Sequence, residues 1–398
     1  MPAERPRRIA LLVTIGLLSA FGPFGTDTYL PALPRLSAEL RADDAGTQLT
    51  ILGYLLGLGV GQLVWGPLSD RVGRRRPILA GTIGFVVVTL ACVLAPSIEL
   101  LVVARVLQGL LGAAGIVIGR AIVRDLYSGE ELARIFSRLT VVFGLAPIVA
   151  PLVGAGLLAF TDWRGTFVFL AALGALLVVA TVLWVPETLQ PERRIHGRSA
   201  ERGEAWRALA RSPQFLRYAT VTVVMMVALL AYITPVSLVL QEEWGMDFAQ
   251  FSLWFALNAL AGVIGGQTGG WLVGRLSPRR MLNATIALAV VASGMVLAAA
   301  LLHGPFWLLE LGLLLWMFGY MAGTPLSTAL ALEPFERGAG TAAAVAGAGQ
   351  FVLGSIPPIL VSAAFGASTL VMGVTIAAAT VLGLLVATTG ARRTRSAR

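Results

Sequence analysis

Long apolar runs alternate with short polar segments along the whole chain. A helix that crosses the hydrocarbon core of a bilayer needs about 20 mostly apolar residues. Runs of that kind occur twelve times, at 9–30, 47–68, 77–95, 99–123, 138–160, 165–186, 216–240, 248–274, 281–302, 305–330, 338–364 and 367–390. The pattern therefore predicts an all-α integral membrane protein with twelve transmembrane helices.

The composition supports this prediction. Of the 398 residues, 57% are hydrophobic and 13% are charged, and the mean hydropathy is +0.82. Soluble domains average about 25% charged residues. The charges here lie in the short segments between the apolar runs, so no sizeable water-soluble domain fits.

The basic residues set the expected orientation in the membrane. All 30 are arginines, against 21 acids, and the formal net charge is +9. With the N-terminus inside, 25 arginines fall in cytoplasmic segments and only Arg35, Arg41 and Arg164 fall outside. This asymmetry predicts that both termini are cytoplasmic. Since the arginines are spread over many short loops, no nucleic-acid partner is expected.

The chain divides into two similar halves. The longest polar stretch predicts a cytoplasmic linker at 189–215, between an N-terminal six-helix bundle at 1–188 and a C-terminal six-helix bundle at 216–398. The segment GPLSDR at Gly66 has an echo 204 residues later, GWLVGR at Gly270. Two six-span halves in a parallel repeat are typical of transporters, whose substrate site lies near the midplane between the halves.

The loop between spans two and three carries a candidate gate. An acid and a run of arginines share one tight turn with glycines, and Asp125 at the end of span four can join them. Ordinary cytoplasmic positive charge would explain the arginines but not Asp70 or the glycine spacing, and the second-half copy has Gly274 in place of Asp70. Gly66 is expected to allow close helix contact, Gly73 a positive φ, and Arg74 a salt bridge to Asp125. The predicted gating residues are Gly66, Asp70, Arg71, Gly73, Arg74, Arg75 and Asp125.

Three of the charged residues within predicted spans are candidates for proton coupling: Asp27, Arg105 and Glu310. Charges inside a membrane are costly, face the bundle interior and pair with one another. Asp27 and Arg105 can therefore satisfy each other, although Asp27 could instead cap a helix end broken by prolines. Glu310 follows Trp307 near a span end, so an interfacial position competes with a second proton site.

Polar and aromatic residues at mid-span depth suit an apolar, adaptable substrate cavity. The predicted cavity residues are Tyr29, Tyr54, Gln108, Tyr232, Trp254, Asn258 and Gln350. In span five, Pro147 and Pro151 weaken the helix, while Gly154 allows close approach of a partner helix. That span is expected to belong to the moving interface between the halves. Plain packing remains the alternative for these residues.

Enzymatic and metal chemistry have little support in the sequence. Cys92 is the single cysteine, and His196 and His303 are the only histidines. These residues cannot build a zinc site of the His/Cys type, and no Walker-type phosphate loop is present. We expect no metal, no cofactor and no catalytic residues.

Several runs resemble a known family. Residues 61–81, GQLVWGPLSDRVGRRRPILAG, are similar to the loop signature of the major facilitator superfamily. The runs TDTYLPALP from Thr26, RVLQGLLGAAGIVIGRAIVRDLYSGEE from Arg105, LAPIVAPLVG from Leu145, PETLQPERR after span six and GTAAAVAGAGQF in the second half resemble its bicyclomycin/chloramphenicol-resistance type of drug:proton antiporter. The resemblance makes LAPIVAPLVG the antiporter motif, although Ala146 stands where the wider pattern has glycine.

The resemblance implies the major facilitator fold and proton-driven efflux of small amphiphilic drugs or metabolites across the bacterial inner membrane. It also implies that Arg105 faces the central cavity. We expect Asp27 to carry the exchanged proton and Arg105 to set its proton affinity. The expected partners are a small-molecule substrate, protons and the lipid bilayer, with the protein a monomer. A facilitative or proton-symport uptake carrier for a nutrient is the alternative, and a membrane enzyme or scaffold is a third class.

Overall fold

The computed structural model describes residues 4–190, 207–273, 275–335 and 339–389. Most of the predicted linker, Gly274, Arg337, His196 and the basic tail lie outside the described residues. The chain separates into two compact units, Met1–Gly197 and Arg198–Arg398.

The first unit contains eight helical segments in the described residues. They are α1 Glu4–Ser19, α2 Phe21–Asp27, α3 Leu33–Leu40, α4 Asp44–Val72, α5 Arg75–Val93, α6 Ile98–Leu126, α7 Gly129–Leu158 and α8 Trp163–Trp184, with a 3-10 turn at Leu30–Ala32. The second unit contains α9 Pro213–Ile233, α10 Phe248–Leu272, α11 Pro278–Leu301, α12 Phe306–Leu332, α13 Ala339–Phe365 and α14 Thr369–Thr388. A helical turn at Val236–Leu238 and a π-helical turn at Val239–Glu243 extend α9.

Ten helical segments in the described ranges are long and apolar enough to cross a membrane. The bent pair Arg8–Ser19 and Phe21–Leu40, which turns by 43°, raises the number to eleven. Predicted span five corresponds to α7, whose described apolar stretch, Leu145–Leu158, is shorter. The predicted all-helical membrane fold is confirmed.

Predicted span one differs from the structure. The sequence suggested a continuous helix at 9–30, whereas the structure breaks after Ser19 and again after Asp27. Pro23 and Pro31 lie in this stretch, and a proline removes a backbone donor and clashes with the preceding turn. Asp27 therefore lies at a helix end inside the bundle.

Most helices begin at a residue that can cap them. The side chains of Asp43, Ser97, Asp162, Ser212, Asp247 and Ser368 accept hydrogen bonds from backbone N–H groups of the first turn. Such caps satisfy donors that have no partner within the helix.

Equivalent glycines bring two helix pairs into close contact. A Cβ atom at Gly61 of α4 would strike the carbonyl of Leu110 on α6, and one at Gly265 of α10 would strike the carbonyl of Phe318 on α12. Gly265 lies 204 residues after Gly61, the offset of the repeat noticed in the loops. Each unit therefore contains the same helix pair, α4 with α6 and α10 with α12.

Candidate functional site

Asp27 ends helix α2 and is buried, with 4% of its surface exposed. Its Oδ1 accepts a hydrogen bond of 2.7 Å from the hydroxyl of Thr26. The same hydroxyl lies 3.3 and 3.1 Å from the backbone oxygens of Gly22 and Pro23, which are alternative acceptors for its single hydrogen. The carboxyl group is thus positioned by its own broken helix.

Arg105 is fully buried on α6 and makes three hydrogen bonds to neighbouring helices or its own turn. Its Nε donates to the carbonyl of Thr50 at 3.0 Å, and one terminal nitrogen donates to the carbonyl of Gly25 at 2.7 Å. The other terminal nitrogen donates to Oε1 of Gln108 at 2.5 Å. The guanidinium group therefore connects α6 to α4 and to the helix that ends at Asp27.

Three aromatic rings surround the Arg105 guanidinium. The ring centroids of Tyr29 and Tyr54 lie 4.4 Å from its central carbon, and that of Phe167 lies 5.6 Å away. The hydroxyl of Tyr54 donates to the carbonyl of Phe21, and the hydroxyls of Tyr29 and Thr50 share a hydrogen bond of 2.9 Å. Ring faces stabilise a desolvated cation, so these rings help to keep Arg105 charged while buried.

The expected ion pair between Asp27 and Arg105 is absent from the described residues. Arg105 instead bonds to the carbonyl of Gly25, two residues before Asp27. Backbone oxygens at the broken helix are closer partners for the guanidinium than the carboxylate is. The two groups are connected through α2 and not by direct contact.

Gln108 belongs to the same cluster. Its amide oxygen accepts from Arg105, and its Nε2 donates to the hydroxyl of Thr89 at 2.7 Å. Thr50, Thr89 and Phe167 were not predicted from the sequence, because nothing in their spacing marks them as neighbours of an arginine.

Gly154 of α7 packs against the same broken helix. A Cβ atom at Gly154 would collide with the carbonyl of Thr28, which follows Asp27. Pro147 and Pro151 lie inside α7, as expected for a weakened helix. The close contact of Gly154 is thus with Thr28 in the same unit. The sequence did not suggest this neighbour.

The second unit has its own buried polar pair. Nδ2 of Asn258 on α10 donates to Oε1 of Glu310 on α12 at 2.8 Å, and also to the carbonyl of Trp254 at 3.1 Å. Asn258 and Glu310 are 1% and 3% exposed. Glu310 lies one turn into α12, but its side chain points into the bundle and not outward as an interfacial residue would.

The remaining predicted cavity residues differ in their burial and in their contacts. Tyr232 is buried and its ring stacks on Phe255, with centroids 5.9 Å apart. Trp254 is half-buried beside Phe306. Gln350 is half-buried on α13, and no contact in the described part of the chain joins it to the other predicted cavity residues.

The loop between α4 and α5 forms the predicted charge cluster. Arg74 donates from Nε to Asp125 at 2.9 Å and from a terminal nitrogen to Asp70 at 2.5 Å and to the hydroxyl of Ser69. The Arg74 side chain is only 6% exposed, so this is not a loose surface pair. Burial would lower the pKa of Arg74, but the hydrogen bonds to Asp125 and Asp70 outweigh it and raise the pKa above its ordinary value.

The glycine predictions for this loop have different outcomes. Gly73 has a φ of 103°, which confirms the predicted positive φ. A Cβ atom at Gly66 would lie 3.6 Å from Val117, an ordinary contact, so the prediction that Gly66 permits unusually close packing is wrong. The close approach of α4 to α6 occurs instead at Gly57 and Gly61, where a Cβ atom would strike backbone.

Glu187 and Thr188, just beyond α8, complete this cluster and were missed. The Glu187 carboxylate accepts from the backbone N–H groups of Arg74 at 2.8 Å and Arg75 at 3.2 Å, at the start of α5. The Thr188 hydroxyl donates to Asp125 at 2.9 Å. A carboxylate is favourable at a helix N-terminus. The signal was the PET sequence at 186–188, which carried part of the family resemblance but no predicted contact. Arg71, also a predicted gating residue, is exposed.

Comparison with known proteins gives a consistent result. The family model described as Major Facilitator Superfamily matches residues 15–358. An uncharacterised MFS-type transporter of Bacillus subtilis is 35% identical over 89% of this chain and 89% of its own length. A bicyclomycin resistance protein homolog of Haemophilus influenzae is 29% identical over 88% of both chains, and a chloramphenicol resistance protein of Pseudomonas aeruginosa is 32% identical over 89% of this chain and 85% of its own length.

The fold has solved counterparts. A crystal structure of a D-xylose-proton symporter aligns with a TM-score of 0.75 over 94% of this chain and 96% of the other, at 14% sequence identity. At that identity the likeness concerns the fold.

Proposed function

Because the chain belongs to the Major Facilitator Superfamily, a family of multi-pass membrane transporters of small molecules, we propose that it exports small amphiphilic drugs or metabolites in exchange for protons. The names of its bicyclomycin- and chloramphenicol-resistance relatives support the drug-export part. We place it in the bacterial inner membrane, with the α4–α5 loop and both termini on the cytoplasmic side.

Proton exchange is supported above all by the buried carboxyl group of Asp27. A charged carboxylate in an apolar bundle is costly unless it is paired, and the described residues give it one hydrogen bond, from Thr26. Binding a proton removes that cost. When the surrounding helices open to water, the carboxylate becomes solvated and the proton can leave.

Arg105 couples this group to the rest of the bundle. It bonds to Gly25 on the Asp27 helix and to Thr50 on α4. A rearrangement of α2 in which the Asp27 carboxylate replaces the Gly25 carbonyl as the acceptor for the guanidinium group would favour the charged form of Asp27. Substrate binding that causes this rearrangement would then favour proton release, which is the linkage that antiport requires.

The proton gradient supplies enough free energy without a cofactor. One charge that crosses about 150 mV is worth about 3.5 kcal/mol, which holds a roughly 300-fold gradient of a neutral substrate. In this proposal the Arg74 cluster at the α4–α5 loop controls the conformational equilibrium and does not contact substrate.

The test is drug flux in proteoliposomes with and without an imposed pH gradient, with radiolabelled chloramphenicol as the probe. We expect export only with the gradient in the wild-type protein and none in Asp27→Asn. Asp43→Asn is the matched control, because Asp43 is an exposed helix cap where asparagine serves equally well. Gradient-driven accumulation by Asp27→Asn would contradict the role of Asp27, and gradient-independent flux in the wild type would contradict antiport.

A further inference from the structure

Two buried oxygen atoms in the second unit have no hydrogen-bond donor in the described part of the chain. Asn258 and Glu310 are joined by one hydrogen bond, yet Oδ1 of Asn258 and Oε2 of Glu310 have no hydrogen-bond partner among the described residues. No described arginine forms an ion pair with Glu310. Buried polar atoms are nearly always satisfied, and leaving an acceptor without a donor is unfavourable. A proton bound by Glu310 would satisfy that carboxyl group alone and leave the Asn258 oxygen without a donor, so the two vacant acceptors together point to a ligand that donates hydrogen bonds to both.

Aromatic rings lie one helical turn from these oxygens. Trp254 precedes Asn258 by four residues on α10, and Phe306 precedes Glu310 by four residues on α12. The rings of Trp254 and Phe306 are 5.2 Å apart, and Trp244 lies 5.5 Å from Phe306. Aromatic faces attract organic cations, so this wall and the acceptor pair favour the same kind of ligand.

The repeat shows the same place in the first unit occupied by a cation. Trp254 and Asn258 lie 204 residues after Thr50 and Tyr54, the same offset that relates the packing glycines. In the first unit, the Arg105 guanidinium group donates to the Thr50 carbonyl and contacts the Tyr54 ring. In the second unit, the pair α10 and α12 presents acceptors and aromatic rings. Among the described residues, no cationic side chain bonds to these acceptors.

We propose that the Glu310–Asn258 pair, with the aromatic rings beside it, forms a subsite for an organic ammonium group of a transported substrate. The ammonium N–H groups donate to the two vacant oxygens, and the apolar part of the substrate lies against the rings. An inorganic divalent cation fits poorly, because hard cations take six or more oxygen ligands. This subsite rests on the proposed export function and specifies one substrate class for it.

The test compares two probes of similar shape and different charge, naphthylethylamine and the neutral naphthylethanol. Their dissociation constants are measured by calorimetry on the purified full chain in lipid nanodiscs, at neutral pH and in potassium chloride. The wild-type protein should bind the amine about tenfold more tightly than the alcohol, as expected for a charge-assisted hydrogen bond. Glu310→Gln should remove this preference and leave alcohol binding within about twofold.

Two variants control for misfolding. Glu333→Gln makes the same change at an exposed position at the other end of α12 and should keep the preference. Trp254→Leu keeps an apolar side chain but removes the ring, and it should weaken amine binding about threefold more than alcohol binding. Melting temperatures of all variants establish that the folded proteins are being compared.

Three results would overturn the subsite. The first is equal binding of amine and alcohol by the wild type, and the second is an amine preference that survives in folded Glu310→Gln. The third is displacement of the amine when sodium replaces potassium, because this would assign the two oxygens to an inorganic cation. Proton-driven export of chloramphenicol is measured in parallel. Its absence in the wild type counts against the proposed export function, whereas its presence without a Glu310-dependent amine preference counts against the subsite alone.

Discussion

The two carboxylates that accept hydrogen bonds from Arg74, those of Asp125 and Asp70, should differ in how much they stabilise the loop between α4 and α5. The Asp125 side chain is 19% exposed and bonds to Nε of Arg74, whereas the Asp70 side chain is 41% exposed. Replacing Asp125 by Asn weakens a charge-assisted hydrogen bond in a largely buried setting, a loss of about 1.5–3 kcal/mol. Replacing Asp70 by Asn affects a more solvent-screened pair, for which about 0.2–1 kcal/mol is typical. Arg74 also keeps Ser69 as a partner for the same nitrogen in that variant.

Hydrogen exchange of the Arg74 and Arg75 amides measures this difference, because both amides donate to Glu187 and exchange only when the loop opens. Since about 1.4 kcal/mol corresponds to a factor of ten, Asp125→Asn should accelerate their exchange by about 10- to 100-fold. Asp70→Asn should accelerate it by less than about fivefold. An equal or larger effect of Asp70→Asn, or no effect of either, would refute the reasoning from burial. Drug binding should stay within a few-fold in both variants, because we propose that the cluster controls the conformational equilibrium and does not contact substrate.

Three further predictions concern the first unit. Gly154→Leu should abolish drug export and lower the melting temperature, because the leucine side chain must displace the Thr28 carbonyl. Gly156→Leu should leave export and melting temperature unchanged, because a Cβ atom at Gly156 meets no atom of the described residues within 4 Å. Arg105→Lys should impair proton-driven export in liposomes even though the charge is kept, since an ammonium group cannot span the Gly25, Thr50 and Gln108 acceptors at once. Asp27→Asn should retain drug binding by calorimetry despite its loss of gradient-driven export; loss of binding as well would give Asp27 a role in the substrate site.

Features of the site that depend on local sequence were predictable. The apolar runs gave the membrane fold, and the spacing of Gly73 and Arg74 around a tight turn gave the positive φ and the salt bridge to Asp125. The positive φ follows from neighbouring residues in the chain, whereas the salt bridge joins residues 51 positions apart and was predictable because opposite charges lie at the predicted cytoplasmic ends of spans. The break in the first span was also signalled by its prolines, which made a broken helix end at Asp27 the alternative to a continuous span.

Contacts between distant segments that no motif or opposite charge marks were not predictable. Glu187 reaches the start of α5, more than a hundred residues earlier, and Arg105 bonds to backbone oxygens that carry no residue-specific signal. The direct pairing of Asp27 with Arg105 was the reasonable expectation from charge alone. It failed because the break after α2 exposes carbonyl groups that compete with the carboxylate.

By itself, the sequence determined that the chain lies in a membrane, repeats with an offset of 204 residues and belongs to a family of transporters, because hydropathy and repeated motifs are properties of linear order. Only the tertiary structure decided which buried polar groups are satisfied. Arg105 donates three hydrogen bonds and is surrounded by aromatic rings, whereas Glu310 and Asn258 each keep one oxygen without a donor among the described residues. The physical reason is that hydrogen bonding depends on distances of about 3 Å and on direction, which are set by helix packing and not by residue type.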